Sequence, residues 1–142
     1  MIVPVTNENE RIWAELCAEL WQGHTAGEML RERSDGKLRN EFLYMSGGEA
    51  VAFISLSLRS DYVEGAESSP VGFIEGIYVK PAYRGKGVAR ELAAFAKAWS
   101  KEHGCSELAS DCELVNETSR QFHEAIGFRE TNRVICFIMA LE

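Results

Sequence analysis

The sequence predicts an α+β fold, a mixed α/β chain with a mainly antiparallel central sheet and helices covering both faces. Three observations carry that expectation. Short apolar runs of strand length recur along the chain. Between them, apolar residues return at helical spacing. Two of the runs are separated only by Ser46-Gly47-Gly48, a hairpin signal. With 142 residues, 46% of them hydrophobic, the chain has the size of one domain, 1–142, and the apolar mass for a core. No repeat, low-complexity tract or linker divides it.

The elements follow in order. Ile2 to Val5 reads as a first strand, and Thr6-Asn7 as the cap of a helix with Ile12, Leu16 and Leu20 on one stripe. Gly23 ends that helix, and Thr25 caps a second one running to about Arg33. Glu41 to Met45 and Glu49 to Leu58 form the hairpin. Arg59 to Pro70 is a long acidic loop, either a functional loop or a solvated connection. Val71 to Val79 is a strand, and Val88, Leu92, Phe95, Ala96 and Trp99 stripe a long helix ending near Gly104. Glu107 to Ser110 is a short strand, Asn116 caps a helix closed by Gly127, and Val134 to Leu141 reads as a final apolar strand.

The net charge of −7 argues against a nucleic-acid partner. It suits a small cationic one, though ordinary acidic solubility explains it as well. Cys17, Cys105, Cys112 and Cys136 lack the C-x-x-C spacing of a zinc site, so we expect no metal. Without a leader-like N-terminus or an apolar run of membrane length, we expect a cytoplasmic protein with reduced thiols and no membrane partner.

The chemistry gathers between Phe73 and Ala89. Arg84-Gly85-Lys86-Gly87 stands where a strand passes into a helix, and a glycine-rich helix start offers free amides to an anion. It is neither a Walker loop nor a complete dinucleotide fingerprint, and a plain surface turn is the alternative. Glu75 lies within the apolar strand; alternation puts it on the face of Val71, Phe73, Ile77 and Val79. Burial there would raise it toward the range of a general base. Gly76 can mark a bulge that aims it into a cleft, or merely toward solvent. Asp111 follows a strand end, as a site residue or as a turn residue.

The run with Arg84-x-x-Gly87-x-Ala89, followed by Asn116 and Gly127-Phe128, resembles the acetyl-CoA motifs of the GCN5-related N-acetyltransferase superfamily. Trp21-x-x-His24, Ser60-x-Tyr62-Val63-x-Gly65, Ser69-Pro70-Val71, Phe73-x-Glu75-Gly76-Ile77 and Ala109-Ser110-Asp111 are similar to aminoglycoside 6'-N-acetyltransferases. The resemblance implies that the backbone of Ile77, Tyr78 and Val79 aligns the pantetheine arm of acetyl-CoA. Arg84, Gly85, Lys86, Gly87, Val88 and Ala89 would hold the pyrophosphate, and Asn116 would contact the cofactor. Trp21, His24, Tyr62, Glu75 and Asp111 would line the pocket of a cationic aminoglycoside. Asn132 stands at the rim, where an acidic residue was to be expected. Core packing is the alternative for Trp21, and helix capping for His24.

The mechanism that follows is direct attack of the amine on the thioester, with Glu75 taking the ammonium proton. His123 stands where the superfamily often carries an acidic tyrosine; it would protonate the leaving thiolate or be a helix-surface residue. Cys112 reads as an inert packed thiol rather than a nucleophile. Acetylation of a polyamine or a protein N-terminus, and a non-catalytic acyl-CoA-binding module, are the rival functions. The last strand is apolar on both faces, and with the resemblance it implies a homodimer.

Overall fold

A computed structural model describes all residues, 1–142. In chain order it contains β1 (Ile2–Pro4), α1 (Glu10–Leu20), α2 (Ala26–Ser34), β2 (Asn40–Ser46), β3 (Glu49–Arg59), β4 (Val71–Val79), α3 (Val88–Glu102), β5 (Leu108–Ser110) and α4 (Glu117–Ala125). The strands form one sheet in sequence order, antiparallel from β1 to β4, with β5 added parallel to β4. Gly47 and Gly48, at φ 57° and 83°, make the two-residue turn whose twist matches the flanking strands.

Alternation along the strands sorts side chains to two cores. Leu43 of β2 and Phe53 of β3 pack with Trp13, Ala14, Leu16 and Cys17 of α1 and Met29 of α2. Ala52, Ile54 and Leu56 of β3 pack on the opposite face with Val88, Leu92, Ala96 and Trp99 of α3. Helices therefore flank both faces, as expected. A third cluster, Val63 with Val71 and Phe73, seats the loop 60–70 on the sheet. Glu107 ties that loop down by accepting from Glu67 N at 2.9 Å and from the Ser68 hydroxyl.

Two expectations fail. Helix α1 begins at Glu10, not beside Thr6-Asn7. Residues 6–9 instead close a turn in which Asn9 Oδ1 accepts from Thr6 N at 2.8 Å and Thr6 Oγ1 accepts from Glu8 N at 3.3 Å. Residues 134–141 form no strand. A strand needs a neighbour for its ladder, and the segment pairs with none of the five strands. Its side chains stand in water, Phe137 90% and Ile138 101% exposed. Helix spacing and caps are local properties, whereas strand pairing is not.

α3 presses closely on β4 at Gly72. A Cβ there would lie 2.7 Å from Ser100 Cβ and closer still to its hydroxyl. Gly72→Ala should cost about 1–3 kcal/mol of stability by overpacking, read as a lower urea midpoint at unchanged slope.

Candidate active site

The β3–β4 ladder contains one extra residue. Ser55 faces Gly76 and Leu56 faces Ile74, so Glu75 has no partner on β3. This bulge changes which side each later residue serves. Glu75 lies with Phe73 on the α1 side, where Arg59 contacts both. Beyond it Tyr78 faces the α1 core, while Ile77 and Val79 turn toward α3. The simple alternation that grouped Glu75 with Ile77 and Val79 is thus broken at Glu75 itself.

Glu75 is not a carboxylate stranded on an apolar surface. Arg59 grips it from β3, with Nη2 2.6 Å from Oε1 and Nε 3.0 Å from Oε2, and Ser57 Oγ donates to Oε2 at 2.6 Å. The guanidinium lies 3.5 Å above the Phe73 ring centre. The two side chains are 40% and 32% exposed. Arg59 escaped the sequence reading, because the bulge decides which β3 residue lies beside Glu75.

A cavity of about 400 Å³ opens beside this carboxylate. Trp21, His24 and Glu75 line it together, as expected, and so do Glu41, Ser55 and Ser57. Trp21 packs edge-on to Phe53 with centroids 5.5 Å apart. Its ring lies over Gly76, where a Cβ would come within 3.0 Å of Cη2 and closer to Cζ2. The glycine is what lets the ring approach the strand. His24 is exposed, with Nδ1 3.4 Å from Glu28, and Thr25 rather than His24 caps α2 by accepting from Glu28 N.

Glu41 is the residue that sequence reasoning missed. It is 4% exposed and accepts from Trp13 Nε1 at 3.2 Å and Ser55 Oγ at 2.6 Å. Burial pushes its carboxyl up to about 7; the hydrogen bonds from Ser55 and Trp13 oppose that shift, and the charge of Glu75 adds to it. Its signal was faint but present: on β2 it shares the buried face with Leu43.

The other side of β4 supplies a different surface. β5 pairs only with Gly72 to Ile74, so the outer edge of β4 is open from Glu75 to Val79. Lys80 N bonds Val51 O on β3 at 2.9 Å, and alternation then turns the backbone of Ile77 and Val79 to the open edge. Arg84 folds back to donate from Nε to Val79 O at 2.8 Å. Gly85 and Gly87 have φ of 74° and 85°, and Gly87 caps α3. The first amide to bond back to Gly87 O is that of Glu91, so those of Val88, Ala89 and Arg90 remain free to meet an anion. The Val88 side chain is buried in the core beneath, and Lys86 is exposed.

The remaining candidates lie outside the cavity. Asn116 caps α4, its Oδ1 accepting from Ser119 N at 3.1 Å, which leaves its amide NH2 free of protein partners. His123 is no surface histidine. Nδ1 meets Ser119 O at 2.7 Å and Nε2 meets Ser110 Oγ at 2.8 Å, between the edges of Phe122 and Phe128. Asp111 and Cys112 are exposed on the segment between β5 and α4, so Cys112 is not the packed thiol expected: no element covers that segment. Tyr62 and Asn132 both hold Glu64, Asn132 at 2.7 Å, and these hydrogen bonds lower the Glu64 carboxyl below the usual range. No group of three or more His, Cys, Asp or Glu is arranged to hold a metal ion, and no helix is long and apolar enough to cross a membrane.

Two outcomes check this geometry. Gly76→Ala should lift Trp21 from the strand; since Trp13 and Trp99 are buried, acrylamide quenching of tryptophan emission should rise. The raised Glu41 carboxyl stabilises the fold fully below the ordinary carboxylate value, and that contribution is lost as pH rises through about 7. Urea unfolding between pH 5 and 8 should therefore show stability falling with pH by on the order of 2–3 kcal/mol more in the native protein than in Glu41→Gln.

Known proteins share this arrangement. The model of the acetyltransferase (GNAT) family matches residues 7–128. An aminoglycoside N(6')-acetyltransferase type 1 of Stenotrophomonas maltophilia is 42% identical over 92% of this chain and 86% of its own length. Its namesake from Acinetobacter haemolyticus is 39% identical over 96% of this chain and 95% of its own. The apo crystal structure of AAC(6')-IG from Acinetobacter haemolyticus superposes with a TM-score of 0.93 at 37% identity, covering 100% of this chain and 99% of that one. AAC(6')-Iy in complex with the bisubstrate analog CoA-S-monomethyl-acetylneamine gives the same TM-score and identity over 99% and 98%. With an open β4 edge beside a glycine-rich helix start and relatives of this closeness along nearly its whole length, the chain belongs to the GNAT acetyltransferase family.

Proposed function

We propose that this chain is a single-domain aminoglycoside 6'-N-acetyltransferase that moves the acetyl group of acetyl-CoA to the 6'-amine in one ternary complex, conferring resistance in the cytoplasm. The observation that carries the reading is the bulge at Glu75. It brings a carboxylate into the wall of the cavity of Trp21 and His24, at the residue where the open edge of β4 begins.

On this reading the open edge at Ile77 and Val79 pairs with the pantetheine arm, with Tyr78 packed behind. The amides from Arg84 to Ala89 receive the pyrophosphate, Lys86 adds charge and the free Asn116 amide adds a donor. The acceptor cation enters against Trp21, whose ring face attracts ammonium groups and stacks on sugar. Tyr62 and Asp111 take its outer rings, and Asn132 acts through Glu64, whose carboxylate it holds.

Glu75 takes a proton from the 6'-ammonium, which frees the nitrogen lone pair. The new N–C bond forms at the thioester carbonyl and the C–S bond breaks, with a β4 amide facing the oxyanion. Arg59 and Ser57 keep Glu75 oriented until the acceptor arrives. The departing thiolate takes a proton passed from His123 by way of Ser110, and the second proton shed by the nitrogen passes through solvent to recharge His123.

The exposed residues 134–141 support a homodimer. So much apolar surface calls for a cover, and a second copy of the chain supplies the same surface in return. Light scattering should give twice the 15.9 kDa chain mass. Phe137→Asp with Ile138→Asp should return the monomer.

The activity is tested with acetyl-CoA, a thiol reagent, and kanamycin, spermidine or a peptide in parallel. Thiol release is expected with kanamycin; release with the peptide alone, or with no acceptor, overturns the reading. Glu75→Gln should lower turnover about 10²–10⁴-fold while the KM for acetyl-CoA stays within about twofold. Equal turnover from pH 6 to 9 would remove Glu75 as the base.

A further inference from the structure

Acetylation of an ammonium leaves one proton over. The acceptor brings two protons that must depart, and the thiolate reclaims one. In the ternary complex that the proposed reaction requires, Glu75 has acceptor on one flank and acyl donor at the β4 edge on the other. Arg59 covers a third side. The remaining contact is Ser57 Oγ, at 2.6 Å. Two residues along the same face of β3, Ser55 Oγ makes the same 2.6 Å bond to Glu41 Oε2. Both hydroxyls and both carboxylates line the cavity of about 400 Å³, which has room for water between them. Glu41 also lines a second cavity of about 430 Å³, walled by Val5, Asn7, Arg33 and Arg39. It therefore stands in the partition between the acceptor cavity and a separate opening.

We propose that Glu41 is a positioning residue that acts through Glu75, receiving the acceptor's proton by way of Ser57, cavity water and Ser55 and releasing it to solvent on the Arg33–Arg39 side. This rests on the reading of Glu75 as the base. Each transfer moves one proton and leaves each group as it began: Glu75 returns to carboxylate when Glu41 is protonated, and Glu41 returns to carboxylate when water in the second cavity accepts.

The surroundings suit a group that must both take and give a proton. From α1, Cys17 and Trp13 face Glu41, and the thiol is held protonated by burial. From α2 comes Arg33, its charge already shared with Glu10 at 2.5 Å. Glu32, Lys37 and His24 stand around the acceptor cavity, and Arg39 around the second one. Glu75 is the facing charge on β4, and its ionised form favours a protonated Glu41. A carboxyl near 7 equilibrates in both directions at neutral pH.

The test compares Glu41→Gln, Glu41→Asp and Glu75→Gln by steady-state kinetics from pH 6 to 9 with kanamycin as acceptor. Glutamine keeps an oxygen to accept from Trp13 Nε1 and presents an N–H to Ser55 Oγ, whose hydroxyl can turn to accept it. Glu41→Gln should lose about 10–100-fold in kcat, with both KM values within twofold, and imidazole buffer should restore turnover in proportion to its concentration. Glu41→Asp should retain most of the activity. Wild-type kcat in Glu41→Gln at every pH overturns the relay, as does a loss that buffer does not restore, which marks a purely structural role. If Glu75→Gln is impaired while Glu41→Gln is not, only the relay falls. Should Glu75→Gln keep wild-type turnover, the base reading falls and takes the relay with it.

Discussion

One unpaired residue in one ladder sets the architecture of this site. Between the Ser55–Gly76 and Leu56–Ile74 pairs, β4 has a residue that β3 does not answer. A regular strand sends alternate side chains to alternate faces for its whole length. β4 cannot serve the site that way, because it must present a carboxylate to the α1 face and then close the α3 core with Ile77 and Val79. The bulge resolves the conflict by placing Glu75 and Gly76 on the same side. Gly76 follows from it directly, since any larger residue would meet Trp21 and Leu20.

The open edge of β4 depends on the same region. A strand edge left unpaired exposes amides and carbonyls that elsewhere would be satisfied. β5 stops at Ser110, so the edge beyond Ile74 has no strand neighbour. Arg84 satisfies the Val79 carbonyl from outside, and that bond also ties the glycine loop to the strand end. Loop, helix start and strand edge thus form one continuous polar surface, on the side of β4 away from the acceptor cavity. On the proposed reading the acyl group lies along that edge and the amine in the cavity, with Glu75 between them.

Most of the fold was legible because its signals are local. Thr25 and Asn116 cap the helices they were expected to cap, Gly47-Gly48 turns the hairpin, and Val71 to Val79 is a strand with those bounds. What escaped depends on neighbours distant in sequence. Arg59 and Glu75 meet only because the bulge sets their register. Glu41 looks like an ordinary edge-of-strand glutamate until Trp13 and Ser55 close over it. The terminal segment shows the opposite error: an apolar run of strand length was read as a strand, but residues 134–141 join no ladder of the sheet.

The placement of Arg59 answers an electrostatic difficulty that the acidic composition creates. A chain of net charge −7 draws cations from a distance, and beyond about 8 Å physiological salt screens that pull. Close in, the cavity gathers Glu32, Glu41 and Glu75 with one lysine, Lys37. Neighbouring carboxylates resist joint ionisation, and the burial of Glu41 makes it the one that yields. Arg59 pairs with the other. As a half-exposed pair it adds little to stability, about 0–1 kcal/mol. Its effect is to hold the Glu75 carboxyl in place before any acceptor is present. The carboxylate still has lone pairs to spare for an arriving ammonium, because two oxygens offer about four acceptor positions. On the proposed reading the base is therefore positioned by the protein and not by its substrate. The buried glutamate behind it then bears the protonation that the site as a whole must carry.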